Sequence, residues 1–449
     1  MSDQHDAVEN LQKARVVHIV LKEGFPAELL DAAFADVPIA GERFEALAGL
    51  RKIKNEHGLL RYEASFSFTP PGLPPEKNPP PGRDRFFTLY FPAEEDARLI
   101  ARKFNELEDI ENASPARPIE PPRDPTMEPL VMGPVKDLDW QWYIPRCGID
   151  LAWALKGQKQ FFSGQGVVLA DIDWGYRTTH QEFAGRIEKK YNSITGSDEF
   201  VSDGSRVSHG TAVLGLLGAA GNGEGMIGVA YGSSLWLIQA GDGNPSATDF
   251  QHWWFAVDYV RRTSSGGRPK VICLEAQTVD DLSIESDALV NKAIRDAIAC
   301  GVVVCVPAGN GNKDAGLDLN GHAFCETNSI VVGATLFDDD AAINRKSLLS
   351  NWGMRVVVSA PGDEERDVTC DSEDDFDYQN GFGRTSGATP KVAGTVALML
   401  EANPKLTPDQ IRTILRCTGT PITDADTTPV GTFLNAYGAV RQAQLLNNN

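Results

Sequence analysis

No run in this chain is apolar over the roughly 20 residues that a membrane-spanning helix requires, and none is read as crossing a bilayer. The opening residues, Met1-Ser2-Asp3-Gln4-His5-Asp6-Ala7-Val8-Glu9, are acidic and have no apolar stretch of the kind a secretory leader carries. Positive charge is in short supply: 42 Lys and Arg stand against 62 Asp and Glu, a formal charge of −20. That excess argues against nucleic acid and against anionic membrane surfaces as partners. Cysteine is sparse as well. The seven residues (147, 273, 300, 305, 325, 370 and 417) contain no C-x-x-C pair, which removes the common zinc and thiol-redox motifs. Cys273 and Cys305 fall inside apolar runs and read as core thiols. The odd, scattered set points to a reducing compartment, with one disulfide left open. The protein is therefore expected to be cytoplasmic, or exported without a conventional signal peptide.

What is present is ordinary for a globular protein: 42% hydrophobic and 23% charged residues over 449 positions, enough for two domains and a large core. After a polar tail (1–14), Val16–Leu21 reads as a strand, followed by an amphipathic helix around Pro26–Phe34. Leu59–Phe68 is a second β-rich stretch. The prolines between Thr69 and Arg83 cannot pair in a sheet and predict an exposed loop. Arg85–Phe91 is a strand, and Ala93–Leu107 is a helix with Ala97, Leu99, Ile100 and Phe104 at helical spacing. Ile110–Ser114 is a last short strand. This order predicts a small α+β, ferredoxin-like domain over residues 15–114. Residues 115–137 hold seven prolines and read as an extended, protease-accessible linker.

The second domain (138–449) opens on Trp140-Gln141-Trp142-Tyr143. Strands are expected at Gly166–Ile172, Ser234–Gln239, Val271–Leu274, Val302–Val306, Ile330–Val332 and Val356–Val358. Helices are expected near His209–Ala219, Ala247–Arg262, Ile284–Cys300, Gly387–Glu401, Pro408–Cys417 and Thr432–Leu445. Continuous apolar strands separated by helices predict an α/β fold, a doubly wound parallel sheet with helices on both faces. Function in such sheets gathers outside the carboxyl ends of the strands.

Four segments carry the chemistry. Val167–Ile172 runs into Asp173-Trp174-Gly175, ending a buried strand in a carboxylate. Ser208-His209-Gly210-Thr211 puts a histidine at a helix start. Val303–Val306 leads into Pro307-Ala308-Gly309-Asn310. Thr385-Ser386-Gly387-Ala388-Thr389-Pro390 sets a serine at the N-terminus of an apolar helix, with the proline in its first turn. Taken alone, each has a plain structural use as a turn residue or helix cap. Together they supply what acyl transfer needs: a nucleophile, a base, a carboxylate to orient the base, and a donor for the oxyanion.

These four segments resemble the motifs of the subtilisin-like serine proteases (subtilases), in the order Asp…His…Ser, across roughly Trp140 to Leu445. The resemblance implies a serine endopeptidase made as an autoinhibited zymogen, with Asp173, His209 and Ser386 as the triad and Asn310 as the side-chain donor to the oxyanion. Residues 15–114 resemble the propeptide domain that often precedes subtilases, an inhibitor and folding aid that would be the chain's own partner besides its protein or peptide substrate. No cofactor is needed for this chemistry. His180 matches a family position near the site and is read as structural, and Asp171 as a buried hydrogen-bonding residue.

The chain also departs from the pattern. Glu275-Ala276-Gln277-Thr278 replaces the family's usual Ser-Leu-Gly-Gly on the peptide-binding strand. Glu275 there either forms an acidic wall that favours a basic P1 residue or turns away; Pro307, Ala308 and Gly309 form the opposite wall. Lys391 stands at the family's usual histidine. The acidic run Asp363–Asp377 is a candidate Ca²⁺ site, an electrostatic selector of basic substrates, or a solvated loop, and Asp338-Asp339-Asp340 is treated alike. The competing reading is a catalytically silent or permanently autoinhibited, subtilase-like peptide-binding protein.

Overall fold

The computed structural model describes residues 15–120 and 141–447, apart from short stretches (26–29, 31–32, 35–43, 67–68, 117–118, 157–159, 201–203, 242–249, 339–342, 365 and 423–427). The tail and most of the linker therefore lie outside the described residues, as does most of the helix expected at 26–34, of which only Leu30, Ala33 and Phe34 are described. Among the described residues no helix is long and apolar enough to cross a membrane.

The N-terminal part runs β1 (Arg15–Leu21), α1 (Phe44–His57), β2 (Arg61–Ala64), β3 (Phe86–Phe91), α2 (Ala97–Asn105) and β4 (Ile110–Pro115). Its four-stranded sheet has the order β2-β3-β1-β4, and every neighbouring pair is antiparallel. Helix α2 begins where the Asp96 carboxylate accepts hydrogen bonds from the Arg98 and Leu99 amides, four residues inside the expected start. Helix α1 is an addition to the sequence reading; its Leu50 and Ile53 fill the small core.

Both faces of this sheet are buried. Val17, Ile19 and Leu21 face its own helices, while Val16 and Val20, one residue out of phase, pack into the core of the second domain. The partners there are the helices Phe250–Arg262 and Ala288–Ala299. The proline-rich stretch does stay out of the sheet, but it is no free loop. It lies along the second domain, where Tyr191 donates to the Pro71 carbonyl (2.7 Å) and Arg261 to Glu76 (2.5 Å).

After a two-residue strand β5 (Ile119–Glu120), the second domain supplies β6 (Val168–Asp173), β7 (Ile187–Asn192), α3 (Gly204–Gly218), β8 (Ser234–Gln239), α4 (Phe250–Arg262), β9 (Lys270–Leu274), β10 (Gln277–Thr278), α5 (Ala288–Ala299), β11 (Val303–Pro307), β12 (Ile330–Asp338), β13 (Ile343–Lys346), β14 (Val356–Pro361), β15 (Val368–Cys370), β16 (Tyr378–Asn380), α6 (Arg384–Ala402), α7 (Pro408–Thr418), β17 (Thr432–Phe433) and α8 (Ala436–Asn447). The main sheet has the order β17-β14-β12-β11-β9-β6-β8-β7, parallel throughout, with β13 added antiparallel on β12.

From β6 the chain goes out to the edge strand β7, returns through α3 to β8 between them, then crosses over to β9 and winds the other way. The reversal lies between β6 and β9, so the carboxyl ends of those two strands flank a natural crevice. Buried α6 packs along β14, β12, β11, β9 and β6. Among the boundaries that differ from expectation, three bear on the site and the C-terminal end. Helix α3 starts at Gly204 and puts His209 in its second turn, α6 starts at Arg384, and Thr432–Leu445 divides into β17 and α8. Asp339 and Asp340 lie outside the described residues.

The two domains are joined by charge as well as apolar surface. Arg83 is 8% exposed; its guanidinium donates to Asp296 (2.7 Å) and Asp258 (2.8 Å) and lies over the Phe66 ring (4.8 Å). Removing it leaves Asp258 to Arg261 and Arg262 and Asp296 to Lys292, so what is lost is one charge-assisted partner on each, about 1.5–3 kcal/mol per hydrogen bond. Arg83→Met should therefore weaken domain docking by that order. The measurement is limited proteolysis of residues 15–115 across a urea series, and an unchanged midpoint would contradict the role assigned to Arg83.

Candidate active site

Strand β6 is apolar until Asp171, and it ends at Asp173, which has no exposed surface. A buried carboxylate needs donors. The Trp174 amide supplies one (2.6 Å), and His209 Nδ1 supplies the other, 2.8 Å from Oδ2 and 3.0 Å from Oδ1. With Nδ1 donating, the lone pair of the imidazole lies on Nε2, as a base requires. Burial pushes the Asp173 carboxyl up, and His209 pulls it back. The contact depends on Gly210. A Cβ there would stand 2.3 Å from the Gly175 carbonyl oxygen and 3.1 Å from Asp173 Cβ, so only glycine lets α3 come this close.

Ser386 is the third residue of α6 and is 2% exposed. The amides of Arg384, Thr385 and Gly387 go to Gly362 O, Asn310 Oδ1 and Gly383 O, which leaves the Ser386 N–H as the candidate donor of this first turn. Pro390 falls in the second turn rather than the first, because the helix begins two residues ahead of the serine; the missing N–H frees the Ser386 carbonyl instead. Ser386 Oγ has no hydrogen-bond partner among the described residues. Asn310 is held from behind: Thr385 N (3.1 Å) and Thr385 Oγ1 (2.8 Å) both donate to its Oδ1. That fixes the amide with Nδ2 turned toward the crevice.

The other residues singled out from the sequence divide clearly. Pro307 ends β11, and Ala308 and Gly309 follow it beside Asn310; all three are buried. Ala276 is buried too, and Gln277 reaches Asn310. Glu275 does not form an acidic wall. It has no exposed surface, because its position directly after β9 points it under the site. There it accepts from Cys273 Sγ (3.2 Å) and faces His209, Asp173 and Ser386. Burial, reinforced by Asp173, pushes it up to about 8. Asp171 is also fully buried, but its carboxyl oxygens have no hydrogen-bond partner among the described residues, contrary to the role expected of it. Burial and the neighbouring Asp173 and Glu275 hold it well above the usual carboxylate range. His180 is structural, bonded to the Glu182 amide and the Asp377 carbonyl.

The acidic run does not converge on a cation. Asp375 accepts from Arg177 (2.7 Å) and Thr179 (2.5 Å), and Asp371 and Asp374 accept from the backbone amides of Ser372 and Phe376. Among the described residues no group of three or more His, Cys, Asp or Glu side chains is placed to hold a metal ion. One member was missed from sequence: Asp367 is fully buried and ion-paired with Lys391, whose ammonium also donates to Pro361 O (2.8 Å) and lies over the Tyr143 ring (4.4 Å). The signal was a lysine in an otherwise apolar helix, which demands a counter-ion.

Residues 164–440 match the profile of the Subtilase family. The chain belongs to this family. An extracellular serine proteinase of Thermus sp. is 32% identical over 261 residues, covering 58% of this subtilase and 56% of that protein. Subtilisin DY of Bacillus licheniformis is 29% identical over 284 residues, covering 62% of this chain and 92% of that one. This chain spans about half the length of the first curated relatives it matches. Fervidolysin from Fervidobacterium pennivorans, described as a keratinolytic enzyme related to subtilisin, superposes over 95% of this subtilase and 61% of its own chain. The TM-score is 0.59 at 17% identity, a likeness of fold.

The raised Glu275 has a consequence for stability. In the unfolded chain it ionises near 4.5, in the fold near 8, so over that interval the native state holds a proton the unfolded state has released. Stability then falls as pH rises between those values. Glu275→Gln removes this slope: it should match the parent near pH 4.5 and exceed it by a few kcal/mol, in order of magnitude, at pH 8. Urea unfolding across this pH range measures it, and parallel curves for the two proteins would contradict it.

Proposed function

We propose that this subtilase is a serine endopeptidase that works through an acyl-enzyme and is made as an autoinhibited precursor. The observation that carries the reading is the fully buried Asp173 carboxylate holding His209 at the same sheet edge as Ser386 and Asn310. Ser386 Oγ attacks the scissile carbonyl carbon while His209 Nε2 takes its proton, and Asp173 stabilises the imidazolium. The oxyanion is met by Asn310 Nδ2 and the Ser386 N–H. The C–N bond then breaks as His209 returns the proton to the leaving amine. Water repeats the sequence on the ester, with its proton passing to His209 and back to Ser386. No cofactor enters any step.

The autoinhibited state is supported by β5. Ile119 and Glu120 pair antiparallel with Thr278 and Gln277, so the chain's own segment lies as an added strand where a peptide would. Residues 15–115, docked on α4 and α5, would hold it there. The second reading, a silent or permanently shut peptide-binding relative, is favoured by one observation: Asn310 Nδ2 is already hydrogen-bonded within the protein.

A fluorophosphonate probe separates the two. Under the peptidase reading the wild type is labelled, Ser386→Ala is not, and Asn310→Ala is labelled about 10²–10³-fold more slowly. A wild type that takes no label either intact or after removal of residues 1–137 would overturn the reading; label persisting in Ser386→Ala would overturn the residue assignment.

A further inference from the structure

A peptide lying along β10 must place its P1 carbonyl oxygen on Asn310 Nδ2, and its P1 side chain then enters the gap between β10 and Pro307-Ala308-Gly309. In this structure a side chain already crosses that gap. Gln277 is 2% exposed, and its Oε1 accepts from Asn310 N (3.1 Å) and from Asn310 Nδ2 (3.2 Å). Its Nε2 donates to Asp281 Oδ1 (3.0 Å). An amide carbonyl thus sits on the candidate oxyanion donor, and the Gln277 side chain spans between Asn310 and Asp281.

The arrangement is anchored at both ends. Asp281 lies in the turn that follows β10, with the left-handed φ of 58° that few non-glycine residues adopt. Its carbonyl accepts from Asn351 Nδ2 (2.6 Å), which also donates to Ala308 O (2.9 Å). The turn is therefore tied to the opposite wall. Gly309, with φ of 99°, completes the fit: a Cβ there would lie 2.5 Å from the Asp281 carbonyl oxygen.

Resting on the serine-peptidase reading, we propose that Gln277 sets the specificity of this site as an internal plug that competes with substrate for Asn310 and the P1 pocket. Acyl groups with Gly or Ala at P1 fit beside the plug. Larger P1 side chains enter only when the Gln277 amide leaves Asn310. The exchange is one hydrogen bond for another, with no covalent step.

The test uses the purified full chain and diphenyl aminoalkylphosphonate esters bearing Gly-, Ala-, Leu- and Phe-like P1 groups, which phosphonylate the nucleophile and read the pocket together. A plain fluorophosphonate serves as the reactivity control. Wild type should react about tenfold or more faster with the Ala than with the Leu or Phe probe. Gln277→Gly should raise the Leu and Phe rates to the level of Ala, and Gln277→Ala, which keeps a Cβ on β10, should shift them in the same direction. Gln277→Gly should also raise the fluorophosphonate rate by freeing Asn310, and adding Asn310→Ala should erase that gain, because both act on one donor. Unchanged P1 ratios in both Gln277 variants would overturn the proposal, as would a gain that survives Asn310→Ala. If no protein takes even the fluorophosphonate, either intact or after removal of residues 1–137, the peptidase reading itself fails, and the plug falls with it.

Discussion

A carboxylate with no exposed surface can stay ionised only if its surroundings supply donors and a compensating charge. For Asp173 these are the Trp174 amide and the His209 imidazole. Much of the functional edge follows from that pair. Asp173 is placed by a strand in the middle of the sheet. His209 is brought to it by a helix whose next residue is forced to be glycine. Asp171 and Glu275 share the same buried volume and have no cation of their own there, so both are pushed toward the neutral form. The site thus sets Asp173 and its donors against one base, with two carboxyls beneath that burial biases toward the neutral form.

A second constraint acts from outside. The N-terminal sheet is apolar on both faces and cannot stand in water with only one covered. It is docked on α4 and α5 by Val16, Val20 and the Arg83–Asp258–Asp296 cluster. The same body touches the hairpin that carries Gln277 twice, through β5 on Gln277–Thr278 and through Arg98, 3.2 Å from Asp280. The hairpin is accordingly where the two domains and the candidate oxyanion donor meet.

Much of this was legible in the residues. Central strands such as Val168–Asp173 and Val303–Pro307 are continuous apolar runs because both faces of a parallel sheet are covered, and the residues following them could be placed at its functional edge. Other parts carried weaker signals. Strand β7 holds Glu188, Lys189 and Lys190 because one side of that edge strand meets solvent, so it lacked an apolar run. The proline-rich arm gave up sheet pairing, as expected, yet its docking depends on tertiary partners such as Tyr191 and Arg261. The direction of Glu275 could not be read, since a residue just past a strand can face either the pocket or the floor. Gln277 was named as a pocket residue, but its bond to Asn310 depends on a turn with an unusual backbone angle, which no periodicity encodes.

We propose that Ser386 is the nucleophile of a peptidase whose first substrate is its own linker. N-terminal sequencing of freshly purified protein over time, with Ser386→Ala in parallel, tests it most directly. The account predicts that the wild type acquires a new N-terminus between residues 115 and 137 while Ser386→Ala keeps its original one. An intact wild type, or equal cleavage of both proteins, would contradict it.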